Sequence, residues 1–122
     1  MFDHVGFAVK DFAVARAFYV AALRPLGLVV MNEGDGWAAF GAEGHTEFWI
    51  GTYGPPPGPI HFAFVAQDQA SVRAFYDAAI AAGGKDNGPP GLRPQYSGTY
   101  YAAFVFDADG HNVEAVCRKA EG

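Results

Sequence analysis

Four side chains of types that bind metal ions occupy matching positions in the sequence: His4, Glu47, His61 and Glu114. Each histidine begins a segment in which residues alternate in character, and each glutamate interrupts a segment that is otherwise apolar. A carboxylate buried on a sheet is costly unless it is paired, and neither glutamate segment contains Lys or Arg. Two imidazoles and two carboxylates around one divalent cation would satisfy both charges, with Zn, Ni, Mn or Fe as suitable ions.

A second interpretation of the same residues needs no metal. A single His or Glu on a strand more often faces solvent or a wet cavity than binds an ion, and the chain is then a binding protein that sequesters an aromatic compound. Aromatic side chains supply large apolar surfaces for such a ligand. Under either interpretation, the candidates for contact with a small molecule are Trp49, Arg93, Tyr96, Tyr100 and Tyr101.

The elements that must position these residues occur twice in the chain. Residues 4–23 and 61–80 are identical at 10 of 20 positions, including the histidines and an RAFY motif. Two copies are too few for a solenoid, which needs at least three repeats. The sequence therefore predicts two copies of one supersecondary module, at 1–54 and 60–122, joined by a proline-rich linker at 55–59 within a single domain, 1–122.

Each module predicts the order βαβββ. A first strand, at 4–9 or 61–66, leads to an N-cap aspartate and an amphipathic helix with apolar residues at i, i+3, i+4 and i+7. Glycine-rich turns then separate short strands. These are expected at 28–32, 37–41 and 46–51 in module one and at 100–106 and 112–117 in module two. The predicted fold is α+β: a curved mixed-sheet cup with the helices outside.

Alternation along the strands assigns the candidate ligands to one face. Val5 and Phe7 share the face that must pack on a helix, so His4 points to the other face, inside the cup. By the same alternation, Glu47 shares a face with Trp49. Module two is longer by an insertion at 86–98, which predicts a loop over a ligand or a plain surface connection.

Composition excludes several classes of function. The chain has 122 residues, a net charge of −5 and no cluster of basic residues, so the charge pattern of a nucleic-acid-binding protein is missing. No apolar run reaches the ~18 residues of a membrane span, and no signal peptide is visible at the start of the sequence. One Cys excludes an intrachain disulfide, which favours a cytoplasmic location. His45 and His111 follow glycines in turns and are expected to be exposed.

The segments DHVGFAV, TEFWIG, PIHFAFV and DADGHNVEAV, together with the repeated RAFY, resemble the vicinal oxygen chelate superfamily. That superfamily includes glyoxalase I, bleomycin-resistance proteins and extradiol dioxygenases. The resemblance implies a divalent metal held by His4, Glu47, His61 and Glu114, or by three of these without Glu47. It also implies a lyase or isomerase that chelates adjacent oxygens of a small molecule, with Glu114 or Glu47 moving a proton.

Two further expectations follow from the resemblance and the size of the chain. A dioxygenase that uses two histidines and one glutamate and a thiol transferase remain alternatives to the lyase. A chain this small, with open sheets of short strands, is expected to form a homodimer. The sequence leaves open whether each site lies within one chain or between two.

Overall fold

The computed structural model describes residues 1–120 and contains two helices and eight strands. The first module consists of β1 (Val5–Ala8), α1 (Phe12–Leu23), β2 (Val29–Gly34), β3 (Trp37–Ala42) and β4 (His45–Gly51). The second consists of β5 (His61–Val65), α2 (Gln69–Ala81), β6 (Lys85–Leu92), β7 (Tyr101–Phe106) and β8 (Asn112–Cys117). The tandem βαβββ order that the repeat predicts is confirmed.

Both helices begin where the sequence places an aspartate. The side chain of Asp11 accepts a hydrogen bond from the backbone N–H of Val14, and Asp68 accepts one from Ser71. These contacts satisfy amide groups that have no partner inside the helix. α1 continues into a 3-10 turn that ends at Gly27, whose φ of 83° is easily adopted only by glycine.

Each module forms its own four-stranded sheet with the first and last strands adjacent. The strand orders are β1-β4-β3-β2 and β5-β8-β7-β6. The pairs β1–β4 and β5–β8 are parallel, whereas the remaining neighbours are antiparallel. This order places β1, which follows His4, beside the Glu47 strand in the first sheet, and the His61 strand beside the Glu114 strand in the second.

The two modules share one hydrophobic core. Phe48 of β4 is almost completely buried, and its ring lies 5.6 Å from that of Phe62 and 5.4 Å from that of Phe64, both on β5. Phe7 of β1 also contacts Phe62, at 5.6 Å between ring centroids. The helix-facing side chains of both sheets thus pack against each other as well as against the helices.

The insertion in module two is partly a strand, which corrects the expectation of a loop over residues 86–98. β6 pairs with β7, but its register shifts twice around Gly88 and Gly91. Proline and glycine disfavour regular strands and are tolerated at edges and bulges, and β6 is an edge strand. The loop proper begins after Leu92.

His111 is buried, so the expectation that it is exposed is wrong. Its Nδ1 accepts a hydrogen bond from the backbone N–H of Ile60 at 3.1 Å, and its ring lies 4.9 Å from that of Phe7. The turn before β8 therefore packs against β1 of module one and against the residue that precedes β5 in module two. His45, in contrast, is exposed as expected.

A buried hydrogen bond joins α1 to the same turn. The Tyr19 hydroxyl donates to Oδ2 of Asp107 at 2.5 Å, while Oδ1 of Asp107 accepts from the backbone N–H groups of Asp109 and His111. Burial, reinforced by the Asp107 carboxylate, raises the pKa of the Tyr19 phenol well above its ordinary value. The phenol therefore stays protonated in the folded chain under conditions that ionise it in the unfolded chain.

Replacing Tyr19 with Phe should lower the free energy of unfolding by about 2 kcal/mol, because a buried carboxylate oxygen loses its donor. The pH dependence should change as well. A raised folded-state pKa gives stability that is present below pH ~10 and is lost as the pH rises further, so the variant should lose less stability in alkali than the parent. Urea unfolding at pH 7 and pH 11 measures both effects, and equal alkaline losses in the two proteins would contradict the assignment.

Within residues 1–120, neither helix has the length and apolar character needed to cross a bilayer.

Candidate metal centre and ligand cavity

The candidate ligands of module two contact each other. His61 Nε2 lies 3.0 Å from Glu114 Oε1. The register explains the contact: Ala63 pairs with Glu114 and His61 with Asn112, so both side chains rise from adjacent strands on the same face. The Glu114 side chain is 2% exposed and the His61 side chain is 51% exposed. The pair therefore lies at the boundary between the protein interior and a solvent-accessible cavity.

Hydrogen bonding fixes which nitrogen of His61 faces the glutamate. Nδ1 lies 3.1 Å from the backbone carbonyl oxygen of Asn112. Because a carbonyl can only accept, we assign a ring proton to Nδ1, which leaves Nε2 directed at Glu114. Two acceptors in contact need a proton or another cation between them, and this orientation is the usual one for a metal-binding histidine.

Glu114 has a second neighbour, Tyr100. The Tyr100 hydroxyl donates to Oε2 of the glutamate, so both carboxylate oxygens have partners. Burial, with the glutamate contact as a further cause, raises the pKa of the Tyr100 phenol to about 12. The phenol is therefore protonated at neutral pH and fixes the orientation of the carboxylate.

These residues line a cavity of about 650 Å³, within the range that suits small organic ligands. Its wall combines aromatic rings, amides and charged groups. The lining residues are His61, Gln95, Tyr96, Tyr100, Phe104, Asn112, Glu114 and Arg118.

The candidate ligands of module one lie on the other sheet. His4 Nδ1 donates to the Asp3 carboxylate at 2.9 Å, which leaves Nε2 available, as in His61. This hydrogen bond is the main cause that lowers the pKa of Asp3. His4 and Glu47 are both exposed, and together with His61 they line a smaller cleft of about 310 Å³.

The described residues of one chain bring together only part of the predicted metal site. Across residues 1–120, no three His, Cys, Asp or Glu side chains lie close enough together to hold an ion. The His61–Glu114 pair nevertheless suits half of one, since two donors about 2.1 Å from a common ion lie roughly 3.0–3.4 Å apart. Convergence of all four residues on one ion stays a prediction.

A sequence model of the Glyoxalase/Bleomycin resistance protein/Dioxygenase superfamily matches residues 1–115. The chain belongs to this superfamily. No curated protein matches the chain significantly. The vicinal oxygen chelate resemblance of the sequence motifs is thereby confirmed.

Solved structures of the superfamily share this architecture over nearly the whole chain. A glyoxalase/bleomycin resistance protein from Albidiferax ferrireducens T118 has a TM-score of 0.84 and 32% identity, covering 96% of this chain and 98% of its own. A glyoxalase-related enzyme from Fulvimarina pelagi has a TM-score of 0.72, 15% identity and coverages of 96% and 87%. A lactoylglutathione lyase from Agrobacterium tumefaciens has a TM-score of 0.67, 18% identity and coverages of 96% and 92%. The last two similarities concern the fold.

In this superfamily member, the five residues expected to contact a small molecule occupy different places. Tyr96 and Tyr100 line the larger cavity, with ring centroids 5.0 Å apart. Arg93 folds back on its own loop, donating to the carbonyl oxygens of Gly91 and Pro89.

The other two of the five lie outside that cavity. Trp49 stacks on Trp37 at 5.8 Å on the first sheet, and its Nε1 is buried without a partner within residues 1–120. Tyr101 packs on the core side, where its hydroxyl accepts a hydrogen bond from Arg73 of α2.

Sequence reasoning missed four cavity residues in this superfamily member: Gln95, Phe104, Asn112 and Arg118. Phe104 faces Glu114 across the β7–β8 register, and its ring centroid lies 6.2 Å from that of His61. Arg118 lies four residues after Glu114, so alternation along β8 already indicates a shared face. No sequence pattern indicated Asn112, because the group that contacts His61 is its backbone carbonyl.

Proposed function

We propose that this chain is a glyoxalase-like metal-dependent enzyme, of lyase or isomerase type, that acts on a small molecule with two adjacent oxygen atoms. The contact between His61 and Glu114 carries the proposal. A buried carboxylate lies 3.0 Å from Nε2 of an imidazole whose other nitrogen is already committed to a carbonyl. This donor set suits a divalent cation such as Zn, Ni, Mn or Fe, which when bound acts as a Lewis acid on a carbonyl or enediolate.

The chain's own groups have distinct roles in this proposal. Tyr100 holds Glu114 through its phenol, and Asn112 orients His61 through its carbonyl. Glu47 is exposed on β4, so it can move between the solvent and the ligand. Glu114 and Glu47 are the two carboxylates that can transfer a proton during an isomerisation.

We propose further that a second copy of the chain completes the site, with His4 and Glu47 of one chain facing His61 and Glu114 of its partner. Exposed apolar side chains on the strands support a homodimer. Val65 on β5 is 83% exposed and Val29 on β2 is 50% exposed. Apolar strand residues left in water favour association with another surface.

The lone thiol of Cys117 is buried and unpaired, which supports a cytoplasmic protein.

Replacing Val65 with Glu should weaken the homodimer by at least about tenfold in Kd, since a charge would enter an apolar contact. Light scattering across micromolar concentrations measures the change. Val14→Glu is the matched control, because Val14 is exposed on α1 and glutamate suits a helix. A parent protein that is monomeric throughout this range would rule out the shared site.

Metal content followed by turnover tests the enzyme proposal. The purified chain is treated with chelator, reloaded separately with Zn, Ni, Mn or Fe, and assayed on the adduct of a 2-oxoaldehyde with a thiol. We expect about one ion per pair of His61 and Glu114, and turnover that disappears on chelation. Binding of no ion by the folded dimer would overturn the proposal.

A second candidate is a metal-free binding protein, and the aromatic face of the first sheet favours it. Trp37 and Trp49 stack at an interplanar angle of 16° beside His4, offering a flat apolar platform. This candidate expects an aromatic compound to bind equally well before and after chelation, and His61→Ala to leave that binding nearly unchanged. A two-His-one-Glu dioxygenase and a thiol transferase, which would use His4, His61 and Glu114, are distinguished by oxygen uptake and by thiol consumption.

A further inference from the structure

A positive charge lies at the larger cavity and has no part in the proposed metal site. Arg118 directly follows β8, on the strand face that Glu114 occupies, and its Cζ lies 4.8 Å from the centroid of the Tyr100 ring. The contact is of the cation–π type, which positions a guanidinium without neutralising its charge. Arg118 is exposed, so its outer N–H groups remain accessible to a ligand.

The carboxylate that lines the same cavity is already engaged. Glu114 uses one oxygen for His61 and the other for Tyr100. Among residues 1–120, no carboxylate forms an ion pair with Arg118. The other arginine near this cavity, Arg93, donates to two loop carbonyls, and its Cζ lies 5.2 Å from the centroid of the Phe104 ring. Arg118, unlike Arg93, is among the residues that line this cavity, where its guanidinium can meet a bound molecule.

The rest of the wall suits a flat apolar body. Tyr96 and Tyr100 meet edge to face at 5.0 Å on one side, and Phe104 lies near His61 on the other. Gln95 adds an amide at the same cavity. A planar guanidinium binds a carboxylate through two parallel hydrogen bonds, so an anionic end beside Arg118 leaves the aromatic walls for the remainder of the molecule.

We propose that Arg118 makes this cavity selective for organic carboxylates with an aromatic or similarly flat body. The guanidinium receives the carboxylate, and Tyr96 and Phe104 flank the ring. Such carboxylates are the substrate class of the site described under the proposed function, and their role as substrates rests on that function. The carboxylate of the bound molecule is held by Arg118 and not by a residue of the proposed metal site.

Benzoate and its neutral analogue benzamide test this selectivity. Each is titrated into the isotope-labelled, chelator-treated full chain, and binding is followed by backbone amide shifts around residues 95–104. Removing metal beforehand ensures that no ion can hold the benzoate carboxylate. We expect benzoate to bind at least about tenfold more tightly than benzamide, because a charge-assisted bidentate pair forms with benzoate alone.

Three variants separate the charge from the fold. In Arg118→Gln, benzoate and benzamide should bind with equal affinity, whereas Arg118→Lys should keep part of the preference because a lysine supplies charge without the planar fork. Arg24→Gln removes an exposed arginine that does not line the cavity and should keep the full preference. Overlapping amide spectra away from the cavity show that each variant is folded.

The outcomes distinguish this proposal from the metal proposal. Equal binding of the two probes to the parent chain, no binding of either at millimolar concentration, or a preference that survives in Arg118→Gln overturns the role of Arg118. Loss of metal binding or turnover in the separate assay would instead remove the enzyme proposal. A preference that depends on Arg118 in the chelated protein would then still define a carboxylate-binding cavity.

Discussion

Replacing His61 with Ala should lower zinc affinity by more than about a hundredfold. Its Nε2 is the donor that faces Glu114, and its loss leaves a buried carboxylate with Tyr100 as the remaining side-chain partner. Even the loss of an outer-shell partner of a metal ligand costs about 10–100-fold in affinity, and loss of the ligand itself costs more. Glu47→Gln should cost less, about tenfold, because Glu47 is exposed on β4, whereas His61 contacts the buried Glu114. Competition with a colorimetric chelator at pH 7 measures both values.

His45→Ala provides the histidine control. His45 is exposed at the start of β4 and contacts Asp3 rather than any of the four candidate ligands. Zinc affinity should stay within about twofold of the parent value. That change in binding free energy is smaller than the free energy that a single ordinary interaction contributes. If His61→Ala and His45→Ala lower zinc affinity equally, the ion is bound elsewhere and the proposed centre is wrong.

Replacing Phe48 with Ala should destabilise the fold by about 3–5 kcal/mol, the usual cost of emptying a buried aromatic position. Phe48 is 1% exposed and touches rings of both modules, including Phe7 and Phe62. The cavity would open where the two sheets share their core, so unfolding should remain a single transition at a lower denaturant concentration. Guanidinium unfolding followed by circular dichroism measures the shift.

Phe2→Ala is the matched control for that experiment. Phe2 is 89% exposed, so the same truncation there should change stability by less than about 0.5 kcal/mol. A two-step transition in Phe48→Ala, with one module unfolding before the other, would contradict a common core. A loss as small as that of Phe2→Ala would show that the contacts across the modules contribute little to stability.

The local elements could be predicted from sequence because short-range patterns determine them. Alternation in the fourth strand separated Glu47 and Trp49 from the core residues Phe48 and Ile50, and the two aspartate caps gave the helix starts. The bounds of β6 could not be predicted because its prolines and glycines oppose a regular strand, while pairing with β7 outweighs that local preference.

His111 and Tyr100 are positioned by contacts between segments that are distant in the sequence. His111 follows a glycine in a turn, a setting typical of exposed residues, and its burial depends on Ile60, 51 residues away. Tyr100 was expected near a ligand, but its bond to Glu114 depends on how the loop after β6 returns to β7. Within one module, alternation indicates a shared face, whereas the assembly of ligands from both modules depends on packing that no local pattern specifies.

The irregular edge strand has a consequence for behaviour at high concentration. Pro89 and Pro90 lie within β6, in the stretch where its register with β7 shifts. Neither residue has an N–H to offer an incoming strand, and the bulge bends the edge out of line. This side of the second sheet is consequently a poor template for edge-to-edge growth into fibrils. The same proline-rich segment that opposes a regular strand thus makes this one edge of the second sheet resistant to pairing with another chain.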